Sequence, residues 1–273
     1  NGGIYLRLIN DHFQNYKRYN IPKAQLIIAD IPYNIGENAY ASNPMWYKGG
    51  DNKNGESKLA KKSFFDTDTD FRVAEFMHFA HKMLKKEPKP KSKDKPGCMI
   101  VFCSFEQQFM LIKEAKKYGF NNYINLVFKK NYSPQVLKAN MKVVGNSEYA
   151  VLLYRNKLPK FNNGGKMVMN NMEYKTDNST PKIHPTQKSI YTLKKLIEIF
   201  TDLGDVVIDP TAGSGVSLLA AHELGRKSYG FEIKKEFVNE FDEKLAANTQ
   251  RTFFQLELEE KQGRKNNGGM KNE

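Results

Sequence analysis

Asp30-Ile31-Pro32-Tyr33 directly follows the apolar run Gln25-Leu26-Ile27-Ile28-Ala29. The run reads as a buried strand, so its carboxyl end presents a carboxylate, a backbone of fixed φ and an aromatic ring. Ligands bind at the carboxyl ends of strands in open α/β sheets. A second end of this kind lies far downstream, where Val206 to Asp209 runs into Asp209-Pro210-Thr211-Ala212-Gly213-Ser214-Gly215 and then a helix. Gly213 and Gly215 let the backbone turn sharply and approach a ligand closely. The turn lacks the Gly-Lys-Ser/Thr ending of a phosphate loop and is not GxGxxG. The next strand ends at Glu232, 23 residues after Asp209, where an acid can accept hydrogen bonds from two ribose hydroxyls. Turn and acid together point to an adenosine-containing ligand.

Strand-like and helix-like segments must alternate to hold these ends, and they do so along the chain. Strands are expected over 4–9, 25–30, 99–103, 123–128, 148–154, 206–209 and 228–232. Between them lie a short helix at 11–19 and helices at 70–84, 105–118, 216–224 and about 235–248, with one more after His184-Pro185-Thr186. This is the pattern of a seven-stranded, mostly parallel Rossmann-like α/β sheet with helices on both faces. Residues 1–250 read as one catalytic domain, with insertions at about 36–66 and 130–180, the latter divided by the strand at 148–154. Residues 251–273 read as a polar tail, partly disordered.

The chain has 273 residues and a net charge of +13, an excess that points to a polyanionic partner such as nucleic acid. Four of those net charges sit in the lysine-proline stretch Lys85–Lys95, which enters a strand and so lies at the amino edge of the sheet, away from the ligand edge. No apolar run approaches the roughly 18 residues of a spanning helix. Cys98 and Cys103, five apart on one strand, face opposite ways and are not expected to pair. No Cys/His cluster has metal-ligand spacing, so no metal is expected. A cytoplasmic location follows, without membrane attachment.

Asp30-Ile31-Pro32-Tyr33 resembles the catalytic tetrapeptide of the S-adenosylmethionine-dependent DNA amino-methyltransferases, with Ile31 where a proline is usual. Asp209 to Gly215 is similar to that family's donor-binding turn, with Thr211 where Phe is commoner. His184-Pro185-Thr186-Gln187-Lys188 resembles the segment that lines the methionine end of the donor site, and Asn10-Asp11 resembles the Gly-Asp whose carboxylate meets the donor adenine. The order, catalytic tetrapeptide before donor turn, is that of the permuted β group. Each motif alone would pass for a turn or a helix cap; their co-occurrence over residues 4–250 carries the resemblance.

The resemblance implies that S-adenosylmethionine is held by Asp11, His184, Thr186, Lys188, Asp209, Thr211, Ala212, Gly213, Ser214, Gly215 and Glu232. It implies that Asp30 and the Ile31 carbonyl accept the two N–H bonds of an exocyclic amine, that Pro32 fixes the backbone, and that Tyr33 stacks on the base. The base must be flipped out of double-stranded DNA to reach them. Adenine N6 is favoured over cytosine N4 because the tetrapeptide opens with Asp rather than Ser. A restriction-modification setting and a homodimer are compatible with the sequence. The alternatives are a cytosine-N4 enzyme, a catalytically silent donor- or DNA-binding homologue, and an RNA or protein-glutamine methyltransferase. Basic and aromatic residues at 36–66 and 130–180, among them Trp46, Tyr47, Lys129, Lys130 and Tyr132, are the expected readers of the target.

Overall fold

A computed structural model describes residues 5–32, 71–131, 135–138, 143–175, 177, 180 and 187–245. Its strands are β1 (Leu6–Asn10), β2 (Leu26–Asp30), β3 (Cys98–Cys103), β4 (Asn122–Lys129), β5 (Gln135–Lys138), β6 (Val143–Gly145), β7 (Ser147–Tyr154), β8 (Asn171–Glu173), β9 (Val206–Asp209) and β10 (Lys227–Glu232). The helices are α1 (Val73–Met83), α2 (Gln107–Lys117), α3 (Ile190–Phe200) and α4 (Val216–Glu223), with a 3-10 turn at Phe13–Arg18 and helical residues at 235–245. No described helix is long and apolar enough to cross a membrane.

Eight strands form one sheet in the order β1-β10-β9-β2-β3-β7-β4-β8. From β1 to β3 every neighbouring pair is parallel, while β7 runs antiparallel to both β3 and β4. The seven-strand expectation is corrected by β8, whose residues pair in parallel with Val127–Lys129 at the edge of β4. Three residues with a single buried side chain, Met172, leave no alternation to read. The segment 130–180 also contains the β5–β6 hairpin. Residues 36–66 and 251–273 lie outside the described residues.

β2 is buried on both faces, as a central parallel strand must be. Alternate residues serve two cores. Ile27, Met99, Val101, Cys103 and Ile208 pack with α1 and α2, whereas Leu26, Cys98, Ile100, Phe102, Val207 and Leu152 pack with α3 and α4. Cys98 and Cys103 are therefore free, buried and on opposite faces.

From β2 the chain passes through α1 to β3 on one side; from β9 it passes through α4 to β10 on the other. β2 and β9 are hydrogen-bonded neighbours, with Leu26 opposite Val207 and Ile27 opposite Ile208. The connections diverge between these strands, so Asp30 and Asp209 stand at the carboxyl ends of a topological switch point, where open α/β sheets bind their ligands.

Candidate active site

The backbone beyond Asp30 is held from two sides. Ile31 donates its N–H to the Phe102 carbonyl at 3.2 Å, carrying the β2–β3 ladder one step further, and its side chain is buried in the core. A proline here could not make that bond. Ser104 and Gln107 exchange the hydrogen bonds of a capping box at the start of α2, 3.0 Å to Gln107 Oε1 and 3.3 Å to Ser104 Oγ. Gln107 Nε2 is thereby aimed at the Pro32 carbonyl and donates to it at 2.7 Å.

The Asp30 carboxylate meets a chain of charges. Oδ2 lies 3.0 Å from Lys188 Nζ, and Lys188 Nζ lies 3.6 Å from Glu148 Oε2. Glu148 Oε1 pairs in turn with Lys130. Lys188 and Lys130 are both buried and stand over aromatic rings, Phe102 at 5.3 Å and Tyr174 at 5.0 Å. Asp30 Oδ1 is buried with no hydrogen-bond partner among the described residues. Burial raises the Asp30 pKa above the ordinary carboxylate value against the pull of Lys188, and the Glu148 charge adds to the rise. For Glu148 burial acts upward too, but Lys188 and Lys130 outweigh it and its pKa lies below normal.

At the neighbouring strand end, Asp209 is buried and accepts from the Thr211 N–H at 3.0 Å and from Ser217 Oγ. Burial lifts its pKa to about 7 against those bonds. The turn closes through Ala212 N–H to the Phe231 carbonyl at 3.0 Å and Gly215 N–H to the Ala212 carbonyl at 2.8 Å. Gly213 and Gly215 are both left-handed, with φ of 51° and 72°. A Cβ on Gly215 would strike the Phe241 ring, whereas one on Gly213 would meet nothing within 4 Å among the described residues. Glu232 accepts from the Gly213 N–H at 2.9 Å and from the Lys234 N–H at 2.7 Å, which fixes its carboxylate over the turn. Burial raises its pKa, opposed by these amides.

β1 lies beside β10 with Asn10 opposite Glu232. Asn10 Nδ2 donates to the carbonyls of Glu232 (2.9 Å) and Ile233 (3.1 Å), work that a glycine could not do. Asp11 accepts from the His12 N–H, Asn15 Nδ2 and Tyr19 Oη at 2.6–2.7 Å. The bonds from Asn15 and Tyr19 hold its pKa below normal.

Asp30, Ile31, Pro32 and Lys188 thus gather at one strand end, and Asp209, Thr211, Ala212, Gly213, Ser214, Gly215, Glu232 and Asp11 at the ends beside it. Lys188, expected at the donor site, has its ammonium on Asp30. Tyr33, His184 and Thr186 lie outside the described residues. Gln107, Ser217 and Glu148 join the site without having stood out in the sequence. The Ser-x-x-Gln pattern would have flagged Gln107, and Glu148 is a charge on the core-facing stripe of Ala150 and Leu152. No group of three or more His, Cys, Asp or Glu that could hold a metal occurs among the described residues.

A family model for N6/N4 DNA methylases matches residues 24–243. YubD of Escherichia coli K12 is 28% identical over 153 residues, covering 56% of this chain and 63% of its own length. The DNA adenine methyltransferase YhdJ of the same organism is 32% identical over 143 residues, covering 49% of this chain and 42% of its own. The chain therefore spans about half the length of these curated relatives. The crystal structure of an M1.HpyAVI–SAM complex superposes with a TM-score of 0.61 at 20% identity, covering 88% of this chain and 98% of that one, and so shares the fold.

Proposed function

The chain belongs to the N6/N4 DNA methylase family, and we propose that it moves a methyl group from S-adenosylmethionine to the N6 amine of a flipped adenine in double-stranded DNA, by direct displacement. The observation that carries this reading is the adjacency of β2 and β9, which brings the strand ends at Asp30 and Asp209 side by side. The turn fits the donor: no described residue stands within 4 Å of a Cβ at Gly213, and the Glu232 carboxylate is fixed beside it with acceptor capacity for a diol. S-adenosylmethionine supplies an electrophilic methyl group.

The protein's own task is to make a poor nucleophile competent. An exocyclic amine is delocalised into its ring, and two acceptors on its N–H bonds favour a pyramidal nitrogen with a localised lone pair. Asp30 is one acceptor; among the described residues its Oδ1 has no hydrogen-bond partner, so the carboxylate keeps capacity for the amine. The Ile31 carbonyl is the other, held in register by the Ile31 N–H on Phe102 and by Gln107 on Pro32. Tyr33 stacks on the base face, worth about 1–3 kcal/mol. Positioning is then the main catalytic contribution. Asp11, His184 and Thr186 complete the donor site in this reading, and Lys188 holds Asp30 while bordering it.

Tritiated S-adenosylmethionine incubated with unmethylated genomic DNA and digested to nucleosides tests the proposal. Label in N6-methyladenine is the expected result. Label in N4-methylcytosine overturns the choice of base, and donor binding without label in any DNA overturns the transfer.

A further inference from the structure

Asp30 and Glu148 lie on two different strands and Lys130 directly follows a third, yet all three belong to one face of the sheet. Along β2 the face carries Leu26, Ile28 and then Asp30; along β7, Leu152, Ala150 and then Glu148; along β4, Leu126, Phe128 and, one step past its end, Lys130. The register sets Asp30 beside Phe102, Phe102 beside Ala150, and Glu148 beside Phe128. Toward the carboxyl edge the apolar stripe therefore gives way to charge on three strands at once. Lys188, two residues before α3, closes the group from above. Two anions and two cations alternate, and three of the four are almost wholly enclosed, with side-chain exposures of 8% for Lys188, 9% for Lys130 and 15% for Glu148.

Buried charges are tolerated only when each is paired in good geometry. Lys188 has two carboxylates to serve, at 3.0 Å and 3.6 Å, and the stronger its tie to one the weaker its tie to the other. Lys130, on the far oxygen of Glu148, decides how much of that carboxylate is left for Lys188. We propose that Glu148 and Lys130 are positioning residues which act through Lys188 to set the orientation and charge of Asp30. The inference rests on the reading of Asp30 as the amine acceptor.

The two residues pull in opposite directions. Removing the Glu148 charge takes one competing carboxylate from Lys188 and a nearby anion from Asp30, so Asp30 ionises more easily. Removing the Lys130 charge turns Glu148 toward Lys188 and draws the ammonium from Asp30, so Asp30 ionises less easily. Among the described residues the other titratable neighbours of Asp30 are Cys103 on β3, whose thiol burial pushes up to about 12, and Asp209 on β9. Both are unchanged in the variants.

The test is the titration of the Asp30 carboxyl carbon by 13C NMR in the full chain, assigned with Asp30→Asn. It is paired with the pH profile of single-turnover methyl transfer to unmethylated genomic DNA. In Glu148→Gln the midpoint and the acid limb of the rate should move to lower pH; in Lys130→Met both should move to higher pH. Lys130→Arg should restore the wild-type profile, and the double variant should fall between the singles. A structural role alone would not give shifts of opposite sign. Unmoved midpoints, or shifts in the same direction, overturn the proposal, and if one single variant does not fold the other and the double variant still decide it. If the wild-type protein labels no DNA, the amine-acceptor reading fails, while the carboxyl titration still reports on the charge chain.

Discussion

At the scale of single residues, the charge chain around Asp30 dictates how its role is tested. Asp30→Ala is the natural substitution from the sequence, since a strand end tolerates truncation. The structure argues for Asn instead: both substitutions remove the anion, but Ala also takes away the oxygen that buried Lys188 meets at 3.0 Å, and losing a hydrogen bond to a charged group costs about 1.5–3 kcal/mol. Asp30→Asn keeps an acceptor oxygen near Lys188 but loses the charge that the proposed role requires. It should lower single-turnover transfer by at least about 100-fold, the lower range for a positioned catalytic group. Donor affinity by calorimetry should change by no more than about twofold, and Asp30→Ala should melt well below Asp30→Asn. Asp209 makes a separate prediction about stability. Its folded pKa is raised to about 7 from an ordinary 3.8, so between these values the native state holds a proton that the unfolded chain has released. Stability therefore declines as pH rises through that window and levels off above it, by at most about 4 kcal/mol. Asp209→Asn can still accept from Thr211 N–H and can donate to Ser217, so it should flatten this part of the curve. Denaturant melts of both proteins at pH 4.5 and 7.5 would show it. A wild-type curve parallel to that of the variant would mean that Asp209 is ionised throughout.

At the scale of elements, the glycine turn after β9 is where local conformation and packing separate. Gly213 and Gly215 both need φ > 0, so an alanine at either costs about 1–2 kcal/mol for the left-handed backbone. At Gly215 the new methyl group also strikes the Phe241 ring, carried on the helical residues 235–245, which adds about 1–3 kcal/mol of overpacking. Gly215→Ala should therefore melt lower than Gly213→Ala, and Phe241→Leu should recover part of the loss in the first background and none in the second. Equal melting temperatures would show that the ring moves aside freely. The sequence made the turn legible because two glycines after an apolar strand have few other uses. It could not show Phe241, which reaches Gly215 only once the fold brings them together. The same holds elsewhere. β2, β3, β9 and β10 stand out as apolar runs bounded by turns, and α1 and α3 follow their 3.6-residue stripes. β8 is invisible because its partner strand, rather than its own pattern, makes it a strand. Asp30 and Asp209 could be ranked as strand-end acids from sequence, but the placement of Lys188 on Asp30 depends on a register between segments more than 150 residues apart.

At the scale of the whole molecule, the net charge of +13 matters only through where it sits. The stretch Lys85–Lys95 follows α1 and runs into the start of β3, and its first residue pairs with Asp205 at 3.0 Å, just before β9. It therefore occupies the amino edge, the length of the parallel strands away from Asp30. Lys89, Lys91, Lys93 and Lys95 are all exposed there. Lys129, Lys175 and Lys195 instead line a cleft with Tyr174 and Tyr191 at the other edge, where β4 and β8 end and α3 begins. Each phosphate neutralised by a lysine contributes about 0.9 to the slope of log affinity against log salt. Replacing the four linker lysines by Gln removes four positive charges, yet should leave that slope and the transfer rate close to wild type. Replacing Lys129, Lys175 and Lys195 by Gln removes three and should reduce the slope by about 0.9 for every phosphate that the cleft ceases to neutralise. Fluorescence anisotropy with duplex DNA over a salt series distinguishes the two sets. A slope that falls with the linker and holds with the cleft would put the duplex on the opposite edge from Asp30, which could not then receive its base.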